Sequence, residues 1–245
     1  VMDPERVDDL TRLTDAVHAE GAAISAQLGH AGLVANTRSN GMATMAPSTR
    51  FSGPAMARVK AATHDQLDRV VDDFARATNV AAESGFDAVE VHLGHNYLLS
   101  SFMSPNLNKR TDRYGGSIEN RSAYPRRVLA AVREAAPDHM AVTAKFNMAD
   151  GVDNGLWLDE SIPMAKLIEA DGHLDAMQLT GGSSLLNGMY FFRGDVPLKE
   201  FRASQPAIVG LGLKFYGPKL FPKYPYEEGF FLPFARQFRD ELTMP

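Results

Sequence analysis

The feature that most constrains the fold of this chain is a regular alternation of short apolar segments with longer amphipathic segments. The short segments have the length and apolar content of buried strands, and they cover residues 22–28, 88–92, 141–146 and 175–180. The spacing of apolar residues predicts helices over residues 3–20, 63–84, 118–135, 159–170 and 230–242. Pro125 lies inside the third of these helices and predicts a kink or a restart there. This alternation indicates a parallel sheet with helices covering its faces.

The connections between these elements are of two kinds. Long connections follow the strands and cover residues 29–62, 93–117, 146–158 and 181–230. The turns that lead from a helix into the next strand are much shorter. In a (β/α) barrel the loops after the strands form the active face, so this asymmetry favours a barrel. Four strands cannot close a parallel barrel of eight, which leaves either part of a barrel or a small open sheet.

Composition and charge narrow the functional classes. The sequence has 25 Lys and Arg residues against 30 Asp and Glu residues, which gives no electrostatic footprint for binding nucleic acid. It contains no cysteine, so disulfides and thiolate metal sites are excluded. Since no apolar run approaches the ~20 residues that span a bilayer and no signal peptide is recognisable, we expect a cytoplasmic protein with no membrane partner. No low-complexity linker divides the chain, and we interpret residues 1–245 as a single domain.

The residues with the clearest chemical potential follow the second predicted strand. His92, His95 and Tyr97 lie within six positions of one another at the end of that strand. Two neutral imidazoles that donate hydrogen bonds to one substrate oxygen would stabilise negative charge there, and a phenol could deliver a proton. Structural histidines are the first alternative. A metal site is the second, and it would need a third ligand from His30 or Glu90.

Gln27 and Lys145 lie at or near the ends of two further predicted strands. Both side chains are therefore candidates for the same mouth of the sheet. An amide that donates and accepts, together with a cation, suits a heteroaromatic ring with alternating carbonyl and N–H groups.

Four stretches of the sequence are distinctive. They are Gln-Leu-Gly-His-Ala-Gly at 27–32, Gly-Phe-Asp-Ala-Val-Glu-Val-His at 85–92, Ser-Pro at 104–105 and Asn-Lys-Arg-Thr-Asp-Arg-Tyr-Gly-Gly-Ser-Ile-Glu-Asn-Arg at 108–121. Together they resemble the Old Yellow Enzyme family of FMN-dependent NAD(P)H:flavin oxidoreductases. The resemblance extends from residue 3 to about residue 182. It implies an α/β protein of the (β/α)8 TIM-barrel family, present here as about four central βα units, with FMN as cofactor and NAD(P)H as hydride donor.

The resemblance also implies roles for individual residues. Gln27 matches the glutamine that pairs with the flavin pyrimidine, and Lys145 falls where the family places a basic residue, usually arginine, beside flavin N1 and O2. His92 and His95 match the pair that binds the carbonyl oxygen of an enone. Tyr97 matches the proton donor. The implied activity is that of an ene-reductase, which moves a hydride through flavin to the activated C=C bond of a small enone.

The resemblance is to the middle of a family member. In the family, two βα units precede the segment that matches this chain, and the loops of strands seven and eight hold the FMN phosphate. Three hypotheses therefore stay open. The chain is part of a flavin-dependent ene-reductase, it is a catalytically inactive barrel fragment unable to retain FMN, or it is a metal-dependent lyase or hydrolase on the same scaffold.

An aromatic-rich excursion covers residues 183–235. Its aromatic residues, with those just beyond it, are Tyr190, Phe191, Phe192, Phe201, Phe215, Tyr216, Phe221, Tyr224, Tyr226, Phe230, Phe231, Phe234 and Phe238. The simplest interpretation is an irregular segment that packs on itself and on the barrel. A wall of the substrate pocket or a subunit contact in a homo-oligomer is the alternative.

Overall fold

The computed structural model of the chain describes residues 2–35, 44–52, 57–205 and 207–245. In chain order its elements are α1 (Val7–Ala19), β1 (Ser25–Leu28), β2 (Arg50–Ser52), β3 (Ala57–Val59), α2 (His64–Glu83), β4 (Ala88–Leu93), α3 (Leu98–Met103), α4 (Ile118–Ala135), β5 (Ala141–Asn147), α5 (Leu158–Asp171), β6 (Ala176–Thr180), α6 (Met189–Phe192), α7 (Leu198–Ala203), α8 (Ala207–Leu220) and α9 (Leu232–Glu241). Short 3-10 turns cover Pro4–Arg6 and Gly32–Val34.

Four parallel strands form the main sheet, in the order β1-β4-β5-β6. These are the four predicted strands, and the first begins at Ser25, three residues later than predicted. One face of the sheet is apolar, because alternate residues such as Val89, Val91 and Phe146 are buried in the core. Helices α2, α4, α5 and α9 contribute to that same core. The sheet is therefore covered by helices on its apolar side.

The opposite face of the sheet carries polar side chains, and we call it the polar face. Its members are Gln27, Glu90, His92, Thr143, Lys145, Gln178 and Thr180. The register places Gln27 beside Glu90, and His92 beside Lys145. Since residues at the same register in a parallel sheet point to the same side, the polar face brings together side chains that are far apart in sequence.

Helix ends follow their sequence signals. At the start of α2, Thr63 Oγ1 accepts a hydrogen bond from the Gln66 N–H and the Gln66 side chain accepts one from the Thr63 N–H, at 3.3 and 2.9 Å, which completes a capping box. Helix α4 runs unbroken through Pro125, so the predicted restart was wrong. Tyr124, which precedes the proline, and Val128, three residues after it, are fully buried, and their packing in the core stabilises the helix across the proline.

Several elements were not predicted. Strands β2 and β3 pair antiparallel within the loop that follows β1, and α3 follows β4. The aromatic-rich excursion at 183–235 is also less irregular than expected, because it contains α6, α7 and α8. Strands of three residues are too short to show an alternating pattern. The interpretation of residues 1–245 as a single domain stays a prediction.

The two ends of the sheet differ as expected. At the amino ends, Asp87 accepts a hydrogen bond from the Ile24 N–H and Asp175 accepts one from the Val142 N–H, both at 2.7 Å. These carboxylates tie neighbouring strands through short turns. The long loops leave from the carboxyl ends, which is where a barrel places its chemistry. Within the described residues, every helix is too short or too polar to traverse a bilayer.

Candidate functional site

The structure gathers the five predicted site residues at the carboxyl ends of β1, β4 and β5. Gln27 and Lys145 both contact Glu90, which lies between them on the polar face. The rings of His92 and His95 lie 5.2 Å apart between centroids, and Tyr97 meets His92 edge-on at 4.6 Å. The positive charge of Lys145 acts on both histidines. The structure therefore brings the predicted residues together in one cluster.

His92 is the buried centre of this site, with 5% of its surface exposed. Burial, together with His95 and Lys145, lowers the pKa of His92 to about 4. The imidazole is therefore neutral at neutral pH and can donate one hydrogen bond. Its Nδ1 atom is buried and has no hydrogen-bond partner among the described residues. A buried nitrogen with unused hydrogen-bonding capacity fits a site that receives a ligand.

His95 is held by contacts from three directions. Its backbone is left-handed, with φ of 58°, and its N–H donates to Asn147 Oδ1 at 3.3 Å. Its Nε2 lies 2.9 Å from Thr180 Oγ1, and its ring stacks on Phe191 with centroids 4.9 Å apart. Burial, assisted by the charge of Lys145, lowers the pKa of His95 as well. The lowered pKa values favour the neutral form of both imidazoles, and the contacts of His95 hold its ring in one orientation.

Glu90 belongs to the site, although the sequence suggested it only as a third metal ligand. The Gln27 side-chain amide donates to Glu90 Oε1 at 2.5 Å, and Lys145 Nζ lies 3.5 Å from the same oxygen. One carboxylate thus orients both predicted cofactor-binding side chains. The period-two alternation of a strand already placed Glu90 on the same face as His92, and that signal could have found it.

The metal alternative lacks a ligand set in the part of the chain that the structure describes. No three or more His, Asp or Glu side chains gather there so as to hold a metal ion. His92 and His95 lie close together, but Glu90 is engaged by Gln27 and Lys145 instead.

The stretch that carries the strongest family resemblance, which we call the signature loop (residues 104–121), has a structural role. Asn108 Nδ2 donates to the carbonyls of Phe102 and Tyr114, both at 2.7 Å. Arg110 pairs with Asp112, and this contact holds the pKa of Asp112 at about 2. Arg110 also donates to the carbonyls of Pro47 and Ala62, at 3.0 and 2.9 Å. The loop therefore secures neighbouring backbone.

Arg121, at the end of the signature loop, is the most enclosed of its cations, with 3% of its surface exposed. Its guanidinium forms a two-point contact with Glu160 on α5, at 2.5 and 3.0 Å. It also donates to the carbonyls of Met103 and Gly116, at 2.8 and 3.1 Å. These bonds join α3, the signature loop and α5 into one unit.

The aromatic-rich excursion contributes one side chain to the site. Phe191 stacks on His95, whereas Tyr190 packs against Trp157, Tyr224 and Phe230. Most of its rings thus pack against one another. In the sequence, Phe191 is one of many neighbouring aromatic residues, and no local pattern distinguishes it, Thr180 or Asn147 from the residues around them.

Comparison with known proteins gives one family match and several relatives. The model of the family described as NADH:flavin oxidoreductase / NADH oxidase matches residues 1–180. The chain is 72% identical over 245 residues to 4,4'-dithiodibutanoate disulfide reductase of Rhodococcus erythropolis, covering all of this chain and 61% of that protein. It is 37% identical over 168 residues to NADPH dehydrogenase of Listeria monocytogenes serotype 4a, covering 69% of this chain and 48% of that protein. The chain thus spans about half to three fifths of the length of these relatives.

Solved structures share the fold. A mutant of morphinone reductase in complex with tetrahydroNAD matches with a TM-score of 0.67 and 25% identity, over 99% of this chain and 59% of that one. Old Yellow Enzyme from Pichia sp. AKU4542 matches with a TM-score of 0.65 and 24% identity, over 98% of this chain and 61% of that one. These neighbours are TIM-barrel proteins, so the predicted (β/α)8 fold, present here as a four-stranded part of the barrel, is confirmed.

Proposed function

The chain belongs to the NADH:flavin oxidoreductase / NADH oxidase family, and from this membership we propose that its polar face is the catalytic centre of an FMN-dependent NAD(P)H oxidoreductase. Membership confirms the resemblance found in the sequence and implies FMN as cofactor and NAD(P)H as hydride donor. The observation that carries the proposal is the convergence of His92, His95, Tyr97 and Lys145 at one end of the sheet.

The residues of the polar face fit a flavin ring. The amide of Gln27 and the ammonium of Lys145 offer hydrogen bonds of the kind that a flavin pyrimidine accepts and donates, and Glu90 holds both side chains in place. The Nδ1 atom of His92 has no hydrogen-bond partner among the described residues, which leaves it available to a ligand beside these side chains. When bound, FMN would supply hydride transfer from NAD(P)H to the substrate. Lys145 would place a positive charge where the reduced ring gains negative charge.

We propose an enone as the first candidate substrate. His92 and His95 would donate hydrogen bonds to its carbonyl oxygen, which polarises the conjugated C=C bond. Because burial keeps both imidazoles neutral, neither is a good acid at neutral pH. The proton that the α-carbon needs must come from another group. The Tyr97 hydroxyl is the adjacent donor, since its ring contacts His92.

A disulfide is the second candidate substrate, and the 72% identity to 4,4'-dithiodibutanoate disulfide reductase over the whole chain favours it. In that reaction two electrons from NAD(P)H break the S–S bond, and the hydride equivalent plus one proton convert the two sulfurs into two thiols. His92 and His95 would stabilise the thiolate that forms, and Tyr97 would deliver the proton. His92, His95 and Tyr97 would thus serve either an enone or a disulfide. The preference between these two substrates would then depend on the pocket around them.

The proposal is tested by measuring NAD(P)H oxidation. The test uses a protein in which this chain is joined to the remaining strands of the barrel, which we call the full-length context. We expect a yellow protein that oxidises NADH or NADPH when 2-cyclohexenone or 4,4'-dithiodibutanoate is added, beyond its rate without an acceptor. Comparing the two acceptors assigns the substrate class. Bound FMN with no stimulation by either acceptor would overturn both candidates.

The hypothesis of an inactive fragment has its own test. FMN fluorescence titration of the 245-residue chain alone is expected to show weak binding or none, because the ring contacts of Gln27 and Lys145 act there without the family's phosphate-binding loops. A one-to-one complex of micromolar affinity, with turnover of NADPH and cyclohexenone, would contradict that expectation. It would place a phosphate site within this chain.

A further inference from the structure

Asp150, which follows β5, carries a completely buried carboxylate and is not one of the predicted site residues. Its Oδ1 accepts hydrogen bonds from the side-chain amides of Asn96 and Asn147, at 2.8 and 2.9 Å. Its Oδ2 accepts from the Ser104 hydroxyl at 2.5 Å and from the Leu156 N–H at 2.8 Å. Both oxygens of one carboxylate thus join the loop after β4 to the loop after β5.

Two of these partners connect Asp150 to His95. Asn147 donates its amide N–H to Asp150, which fixes the orientation of the amide, because a carboxylate only accepts. The carbonyl oxygen of the same amide accepts the His95 backbone N–H. Asn96, which also donates to Asp150, is the next residue along the chain. Asp150 is therefore connected to His95 in two ways, through Asn147, which accepts the His95 N–H, and through Asn96, which is the adjacent residue.

This connection matters because the turn at His95 is strained. His95 and Asn96 have φ of 58° and 57°, a left-handed conformation that residues other than glycine adopt at an energetic cost. Such a turn persists only where surrounding contacts hold it. It is also what returns the His95 ring to 5.2 Å from His92 and sets it against Phe191.

We propose that Asp150 is the positioning residue that holds His95 in its substrate-binding orientation, through Asn147 and Asn96. The inference rests on the proposed function, since it gives a cause for the orientation of one of the two substrate-binding histidines. It also gives a role to Ser104, which donates to Asp150 and belongs to the Ser-Pro motif at 104–105. The proposed catalytic residues alone do not account for that motif. Asp150 touches neither substrate nor cofactor and acts through the two asparagines.

The carboxylate cannot be replaced by the amide of the same shape. In Asp150→Asn, one oxygen becomes an NH2 group. At the Oδ2 position this group meets the Leu156 N–H, which can only donate, and at the Oδ1 position it meets the amides of Asn96 and Asn147. Asn147 could accept from it only by turning its own NH2 group toward the His95 N–H. We expect the turn at His95 to relax. In a full-length context, the dissociation constant of a phenol ligand and the KM of the acceptor should each rise about tenfold, while reduction by NAD(P)H stays within about twofold.

Asp175→Asn is the matched control, since Asp175 also accepts a backbone N–H between two strands, but at the opposite end of the sheet. It should leave the phenol affinity unchanged. Testing Asp150→Asn in a His95→Ala background distinguishes the positioning of His95 from a general loosening of the site. With the His95 ring absent, Asp150→Asn should weaken phenol binding by less than about twofold. A full tenfold loss in that background would overturn the proposal.

NMR of the His95 ring protons tests the inference without activity or cofactor. Stacking on Phe191 shifts these signals upfield, and Asp150→Asn should reduce that shift whereas Asp175→Asn should not. An unchanged His95 signal would overturn the proposal. If Asp150→Asn does not fold, Asn147→Ala decides with the same two readouts, because it removes the acceptor of the His95 N–H. If His95→Ala binds phenol normally, the proposed function fails, whereas the NMR result still decides the role of Asp150.

Discussion

The signature loop and the polar face lie in loops and strands of the same four βα units, but they use their polar groups in opposite ways. In the signature loop, Asn108, Arg110 and Arg121 donate to backbone carbonyls and to carboxylates within the chain. On the polar face, His92 Nδ1 has no partner among the described residues, and Gln27 is exposed. The residues most diagnostic of the family thus maintain the scaffold, whereas His92 and Gln27, for which we propose a role in the chemistry, keep hydrogen-bonding groups available to a ligand.

The largest effect is expected on the stability of the signature loop. Arg121→Met leaves Glu160 and two carbonyls without their cation, which should lower the free energy of unfolding by about 3 kcal/mol, the lower end of the range for a broken buried pair because Glu160 is partly exposed. Arg133→Met is the control, because the side chain of its partner Asp175 is about half exposed and the loss of this ion pair should cost under about 1 kcal/mol. Urea unfolding in a full-length context measures both. Equal losses would remove the structural role from Arg121.

Substitutions on the polar face should change the reaction rate instead of the stability. Replacing His92 and His95 with Ala should slow reduction of the acceptor by at least about 10²–10³-fold, the cost of losing one hydrogen-bond donor to developing charge. Reduction by NAD(P)H, which does not use the acceptor's oxygen, should change far less. Stopped-flow absorbance separates the two half-reactions. Equal loss in both would contradict the assignment of the two histidines.

Tyr97→Phe removes only a hydroxyl next to His92. We expect turnover to fall about 100-fold, the lower range for a general acid, with phenol binding nearly unchanged. Phenol affinity is measured from the charge-transfer band that phenols give beside an oxidised flavin. Turnover that stays unchanged with several acceptors would show that solvent or another group supplies the proton.

The pKa of His92 makes the stability of the site depend on pH. An unfolded histidine has a pKa near 6.5, whereas that of folded His92 is about 4, so the unfolded chain binds a proton first as the pH falls. The free energy of unfolding is therefore unaffected by His92 above about pH 6.5, and it declines by about 3 kcal/mol as the pH falls toward 4. Urea unfolding at about pH 7.5 and about pH 4.5 should show a smaller acid loss for His92→Gln than for the unchanged protein. Identical losses would place the pKa of His92 near its ordinary value.

Sequence alone located much of this molecule. The four strands of the sheet and α4 lie within three residues of their predicted positions, because apolar periodicity reports burial directly. Gln27, His92, His95, Tyr97 and Lys145 were identified from motifs, and the structure brings them together. Their roles remain predictions.

What the sequence could not supply are contacts between separate elements. Asn147, Asp150, Thr180 and Phe191 come from the loops and ends of β5 and β6, and each reaches the loop after β4 only in the folded chain. Nothing in their local sequence marks them. The hairpin of β2 and β3 escaped for a different reason, since three residues per strand carry too little periodicity.

The comparison between the two regions is tested most directly by one lysine from each. Lys145 contacts Glu90 on the polar face, and Lys109 donates to the carbonyl of Pro105 within the signature loop. In a full-length context, fluorescence titration should show that Lys145→Met weakens FMN binding about tenfold, the worth of one charge-assisted hydrogen bond, and that Lys109→Met leaves it unchanged. Unchanged FMN affinity in Lys145→Met, or an equal loss in both variants, would contradict the placement of the cofactor on the polar face.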